Sequence, residues 1–236
     1  FGGDWRSIPD LAHVGYPIAE VWENGDAVIS KAPGTGGRVS FDTLREQLLY
    51  EVHDPAHYLT PDVDADMTTL HMEEIGPDQV RVTGASGHPA PATLKIVAGY
   101  EDGFMGQAVI GYAWPDALAK AQLASQIITQ QMAERGLKAE ETVIEYQGYN
   151  SIHGPLADPT HAADLNEVYL RIAVRCSDRK EAAKLGRLVP PLGLSGPPFI
   201  GGLGGMTESR GLLGIWPTLA PRTVIEEFIR VSVEEA

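Results

Sequence analysis

Asp62, Asp64 and Asp66 alternate along the chain with Glu73 at the twelfth position, the offsets at which three short carboxylates and one long one wrap a large hard cation. The sixth position of such a loop needs a residue at positive φ, and here it is Met67; Pro61 also denies a clean helix ahead of it. Period-two spacing sets the three aspartates on one strand face instead, solvated or lining a mouth. His53 and His57 have the i, i+4 spacing of zinc-binding helical histidines, but Pro55 breaks a helix between them and no glutamate follows His53. Neither pattern predicts a calcium loop or a zinc pair; a looser divalent-cation site at the aspartates stays an alternative to a solvated face, and a metal-dependent hydrolase built on the three aspartates is the third reading of function. Gly193-Leu194-Ser195-Gly196-Pro197 resembles a nucleophile elbow until its last residue, and Pro190-Pro191 removes the strand an elbow needs. Cys176 ends an apolar run and reads as a buried structural thiol.

The loop Lys31-Ala32-Pro33-Gly34-Thr35-Gly36-Gly37 carries more chemistry. Its glycines let backbone N–H groups approach a ligand, and a following helix N-terminus favours an anion. It lacks the Gly-Lys-Ser/Thr of a Walker loop, and Val39 occupies the last glycine position of a dinucleotide fingerprint. The acidity nearby favours a carboxylate or single phosphate over a polyphosphate, with a plain tight turn as the alternative. A second Gly-rich stretch runs from Ser195 to Gly205 and is too long for a turn; loops of that length in compact domains are usually functional.

The elements that must position these loops follow from pattern. Asn24-Gly25 between apolar runs predicts a hairpin over 11–30. Ser40 offers an N-cap for a helix whose apolar face is Leu44, Leu48, Leu49 and Val52. Strands joined at Gly76-Pro77-Asp78 fill 62–84, and 84–92 reads as a loop or domain boundary. Beyond it, 94–100 and 107–114 read as strands joined by an Asp102-Gly103 turn. A helix from Pro115 to about Arg135 follows, with the stripe Leu118, Ala121, Ile128 and Met132. Strands over 142–149 and 168–175, a helix over 178–188, an aperiodic segment over 193–221 and a closing strand over 224–233 complete the pattern. The fold class is α+β: an α/β portion with strand, Gly loop and helix over 1–92, then a ferredoxin-like α+β sandwich over 93–236.

Composition bounds the function. The chain has 236 residues, 43% hydrophobic and 21% charged, with 18 basic and 32 acidic residues and a net charge of −14. A core of real size is attainable, and no apolar run approaches the roughly 20 residues of a membrane span. Duplex nucleic acid and anionic membrane are unfavourable partners, because the few bases do not cluster. Between Arg45 and Arg81 there is no lysine or arginine, while acidic residues accumulate; such a run is most often a solvated face. A single cysteine points to a reducing compartment, the cytoplasm. The opening Phe1-Gly2-Gly3-Asp4-Trp5 reads as neither a natural start nor a signal peptide, so a fragment or processed chain is expected.

Several stretches together resemble one family. They are Pro9-Asp10-Leu11-Ala12-His13-Val14-Gly15-Tyr16-Pro17-Ile18-Ala19-Glu20-Val21, the loop over 31–37 with Glu46-Gln47-Leu48-Leu49-Tyr50-Glu51, Asp54-Pro55 with Tyr58-Leu59-x-Pro61-Asp62-Val63, and residues 190–198. The combination is similar to the acyclic terpene utilisation protein A (AtuA) family and covers nearly the whole chain, which looks like the C-terminal half of a longer family domain. The pattern departs from the family around Phe199 to Arg210, at Met206-Thr207-Glu208-Ser209.

The resemblance implies a role in catabolism of acyclic terpenes such as citronellol and geraniol, through acyl-CoA intermediates, or of small organic acids. It carries over His13, Glu20, Lys31, Gly34, Thr35, Gly36, Gly37, Gln47, Tyr50, Asp54, Tyr58, Asp62, Ser195 and Gly196 as candidate positions. The expected activity is of lyase or hydratase type on an acyl-CoA thioester or carboxylic acid, between the two Gly-rich loops. His13 or Glu20 would transfer the proton, and Lys31 with the amides over 34–37 would hold the oxygens. Gln47, Tyr58, Asp62, Ser195 and Gly196 complete the expected binding set. The structural alternatives are His13 capping a turn, Glu20 paired with Arg45 and Lys31 solvated. No cofactor is implied beyond a substrate CoA thioester. The rival reading is a non-catalytic assembly subunit. The expected partners are the N-terminal half of the family domain, a small companion subunit and further copies of the chain.

Overall fold

Asn24-Gly25 turns the chain as its composition dictates: Gly25 takes φ 85°, and strands β1 (Pro17–Val21) and β2 (Ala27–Lys31) pair antiparallel on either side. The computed structural model describes residues 5–204 and 209–232. Its contacts divide the chain into two units, Phe1–Ile96 with Thr218–Ala236, and Val97–Pro217.

In the first unit β2 leads through the Gly loop into helix α1 (Phe41–Leu49). Ser40 caps α1 reciprocally: its hydroxyl accepts from the Thr43 N–H, and the Thr43 hydroxyl accepts from the Ser40 N–H. Strands β3 (Tyr58–Leu59) and β4 (Asp64–Asp66) follow, then β5 (His71–Gly76), β6 (Gln79–Thr83) and β7 (Ser86–His88). They form a four-stranded sheet ordered β1-β2-β6-β5 and a three-stranded sheet ordered β3-β4-β7. β7 thus occupies part of the stretch 84–92 that its Gly and Pro content marks as a loop.

The second unit contains most of the strand β8 (Thr93–Ala113), then α2 (Ala117–Glu134), β9 (Glu141–Gln147), β10 (Glu167–Cys176), α3 (Arg179–Lys184), α4 (Leu192–Ser195), β11 (Ile200–Gly204) and most of β12 (Arg210–Pro221). The sheet order is β11-β8-β10-β9, all antiparallel, with β12 also on β8. With α2 and α3 as crossovers this is the β-α-β-β-α-β connectivity of a ferredoxin-like sandwich. One face of β10 supplies Val168, Leu170, Ile172, Val174 and Cys176 to the core. The α2 stripe of Leu118, Ala121, Ile128 and Met132 joins it, widened by Ala117 and Ala124. Each large side chain closed off there stabilises the fold by about 1.5–3 kcal/mol. Of the buried apolar residues described, only Ile8 and Val80 belong to the first unit.

Three expectations fail in the second half. Asp102-Gly103 is not a hairpin turn but a point inside the continuous β8, where Gly103 at φ 79° passes so close to the Cys176 carbonyl that a Cβ would lie 2.5 Å from its oxygen. The aperiodic segment 193–221 contains β11 and β12. The closing strand over 224–233 is instead α5 (Arg222–Ile225) and a 3-10 turn over Glu226–Phe228. Arg222 anchors this turn, its N–H donating to Ala92 O and its guanidinium to Pro91 O, Pro61 O and Glu226. Residues 205–208, with most of the segment that departs from the family pattern, and Val233 lie outside the described residues.

Candidate functional site

The Gly loop closes on itself. Lys31 at the end of β2 donates to Thr35 O at 2.8 Å and Gly37 O at 3.0 Å, with Asp78 3.5 Å away. Only 16% of its side chain is exposed, so Lys31 is not solvated but holds the loop in shape. The Gly36 and Gly37 N–H groups donate to His13 O and Pro9 O, at 3.0 and 2.9 Å. A Cβ on Gly36 would stand 1.9 Å from Asp10 O, which is why a glycine is required there. Around the start of α1 the protein supplies its own anions: Asp78 accepts from the Val39 N–H at 2.9 Å and Glu74 from the Phe41 N–H at 2.7 Å. These amides are therefore engaged internally.

Around this frame lies a pocket of about 250 Å³. Val14, Pro17, Ile29, Val39 and Leu44 give it apolar walls; Lys31, Arg38, Thr43 and Gln47 give it polar points. Gly36 and Gly37 form part of the same wall, so four of the sequence candidates meet here. Gly34 and Thr35 face a second hollow of about 360 Å³, with Lys31 and the Pro77-Asp78 turn. Thr35 itself donates its hydroxyl to Ala32 O at 2.7 Å.

His13 closes a 3-10 turn one residue before Val14. Its Nδ1 lies 2.8 and 3.0 Å from the two carboxylate oxygens of Asp10, which fixes the ring and leaves Nε2 as the outward nitrogen. Asp10 takes φ 47°, a left-handed conformation uncommon outside glycine. Glu20 lies on β1 opposite Val28, exposed, and Arg45 pairs with Asp42 at 3.1 Å rather than with Glu20.

A family model described as "Acyclic terpene utilisation family protein AtuA" matches residues 1–231. The chain belongs to the AtuA family. No curated protein and no solved structure matches it. AtuA family membership points to acyclic terpene utilisation. No helix among the described residues is long and apolar enough to cross a membrane.

In this AtuA chain the remaining candidates are not among the residues that line that pocket. Tyr58 and Asp62 belong to the β3–β4 hairpin, and of the alternating aspartates only Asp64 and Asp66 lie on β4. Asp66 accepts from the Thr68 N–H and hydroxyl, and these bonds hold its carboxyl below the usual range. Ser195 and Gly196 are in the second unit, where they end α4: the Ser195 hydroxyl donates to Pro191 O at 3.0 Å and the Gly196 N–H to Leu192 O at 2.9 Å. The residue that sequence reasoning passed over is Arg38. Its guanidinium donates to Ser7 Oγ and Ser7 O, at 3.2 and 2.8 Å, and lines the 250 Å³ pocket. A guanidinium carries five N–H donors, so it retains capacity for an anion. Its position directly after Gly36-Gly37 was the available signal.

Proposed function

We propose that the protein acts in catabolism of acyclic terpenes or related small organic acids, as a lyase or hydratase on an acyl-CoA thioester or carboxylic acid. The Gly-loop pocket takes the small branched acyl group, and Arg38 with Gln47 takes the carboxylate or carbonyl oxygen. The reading rests on one observation: apolar walls and a guanidinium with unused donors meet in a single pocket, whose lining begins at Val14, the residue after the His13 that pairs with Asp10. Small-ligand sites have this make-up, apolar lining with a few placed polar groups. His13, oriented through Nδ1, offers Nε2 to move a proton next to the carbonyl. Lys31 acts by shaping the loop, and Glu20 is the second candidate for the proton.

Calorimetry with short branched carboxylic acids and their CoA esters tests the reading. Saturable binding is expected, weakened about 10- to 100-fold in Arg38→Ala, the loss of one charged hydrogen-bonding group. In His13→Ala turnover is expected to fall by about 10²–10⁴ with binding retained. Full turnover in both His13→Ala and Glu20→Ala would remove the acid/base assignment.

A second reading, an assembly subunit, is favoured by the first unit's sparse core, in which Ile8 and Val80 are the only described apolar residues buried. The edge strand β1 is exposed at every position. On this reading the partner is the rest of the family domain, a small companion chain or another copy, and the complex forms without ligand in the cytoplasm.

A further inference from the structure

Backbone pairing in the three-stranded sheet brings together three side chains that are far apart in the sequence. Asp64 opens β4 and stands directly opposite His88, the last residue of β7, and opposite Leu59 on β3. His57 immediately precedes β3, its N–H bound to Asp54 O at 3.2 Å. The register thus sets an imidazole on each side of one carboxylate. His57 Nδ1 lies 2.9 Å and His88 Nδ1 3.7 Å from Asp64 Oδ2, and the two rings stack with centroids 5.3 Å apart and planes 27° from parallel.

We propose that His57, Asp64 and His88 form a three-ligand site for a divalent transition-metal ion of the zinc class. Two imidazoles and a carboxylate are a donor set that zinc and its first-row neighbours accept, with further positions open to water or substrate. One donor atom from each residue lies within 4.8 Å of the others. An ion with bonds of about 2.0–2.1 Å places its ligand atoms roughly 2.9 Å apart in octahedral and 3.4 Å in tetrahedral geometry. The 2.9 and 3.7 Å separations from Asp64 Oδ2 bracket that range, so small side-chain adjustments complete the site.

Asp64 adds an independent observation. Its side chain is 15% exposed, and its Oδ1 is fully buried with no hydrogen-bond partner among the described residues. A buried carboxylate with an oxygen lacking a donor is costly, and a cation that Asp64 holds through both oxygens, or whose charge on Oδ2 offsets the carboxylate's, is one of the arrangements that lowers that cost. The two histidines are 56% and 55% exposed, which gives an ion a path in from solvent. The charges that act on the His57 ring favour a cation, since Asp54 and Asp66 add to Asp64 there. The alternate aspartates Asp62 and Asp66 do not belong to the donor set. His57 belongs to it with a histidine 31 positions away, not with His53.

The full chain, stripped with EDTA and dialysed, should bind one equivalent of Zn²⁺ by calorimetry, and Co²⁺ in its place should give the visible absorption of a nitrogen- and oxygen-ligated ion. His57→Ala and His88→Ala change exposed side chains and should fold. Each should weaken Zn²⁺ by at least the roughly 10- to 100-fold that losing even an outer partner costs such sites. Asp64→Asn is the third variant, with thermal melting of the metal-free protein as the check on folding. His13→Ala is the control and should bind Zn²⁺ as the parent does. Absence of saturable Zn²⁺ binding, or one equivalent retained in the His57→Ala/His88→Ala double variant, overturns the proposal and leaves the cluster a hydrogen-bonded histidine–carboxylate group. The readouts are metal affinity and spectrum, so the result stands apart from whether the Gly-loop pocket binds acids.

Discussion

The Lys31 ammonium donates to two carbonyls of its own loop and faces Asp78, so its removal would leave Thr35 O, Gly37 O and a carboxylate without their cation. Lys31→Met should destabilise the first unit by about 1–3 kcal/mol, read from urea unfolding; unchanged stability with abolished ligand binding would instead make Lys31 a substrate ligand. Tyr112 presents the opposite case. It is 1% exposed, its hydroxyl is buried without a partner among the described residues, and burial pushes its pKa up to about 12. The phenol therefore stays neutral in the folded protein while it ionises near its ordinary value of about 10 in the unfolded chain. Its contribution is fully present below that ordinary value and is lost as pH rises from about 10 through about 12. Tyr112→Phe should match or exceed the parent in stability at neutral pH, by up to about 1 kcal/mol, and should lose this part of the alkaline decline. Urea titrations at neutral and alkaline pH distinguish the two. The sequence offered Lys31 and the glycines as candidates because type and spacing are local. It could not show which of their donors the fold had already engaged.

Elements were legible where periodicity and caps agreed, as in the β1–β2 hairpin, α1 with its Ser40 cap and the α2 stripe. The misreading at Asp102-Gly103 has a physical cause. Residues Phe104–Ala113 of β8 pair with β10, whereas the earlier half of the strand lies against β12, where Gly99 approaches Leu213 and Gly214 approaches Tyr100. A positive-φ glycine is needed where Gly103 passes the Cys176 carbonyl, and in sequence that need looks the same as a turn. Gly103→Ala should cost more than the roughly 1 kcal/mol of a left-handed alanine alone, because its Cβ would also collide with backbone. β12 and β11 were missed because their glycines and prolines break the alternation that marks a strand. On α3, Glu181 accepts from Lys184 and from the Lys138 N–H, which holds its carboxyl below the usual range. A depressed carboxylate stabilises above its unfolded pKa, and that stabilisation disappears as pH falls through the lower folded value. Glu181→Gln should therefore narrow the gap to the parent as the medium is acidified below the ordinary carboxylate range, in thermal melts over an acid series.

At the scale of the whole molecule the two units differ in what they bury. The second collects nearly every closed-off apolar side chain described, from Ala108 on β8 to Leu192 on α4, while the first contributes Ile8 and Val80. Its sheets leave Ile18, Val21, Leu59 and Ile75 exposed, together with Phe228 and Val231 from the returning C-terminal segment. Local stability follows buried apolar contact, so backbone amides in the two units should open at different free energies. Hydrogen exchange should find the slowest amides in β10, the paired half of β8 and α2, and amides of β2 and β6 exchanging about tenfold faster or more. The strongly negative chain, at −14 overall, adds self-repulsion that salt should partly relieve, chiefly in the base-free stretch from Arg45 to Arg81. A chain that covers the first unit would remove the difference selectively, slowing β2 and β6 while β10 stays as it was, because binding stabilises only what it contacts or what unfolds with it. Equal protection of β6 and β10 in the isolated protein would show that the buried apolar residues described in the first unit suffice, and the assembly reading would lose its support.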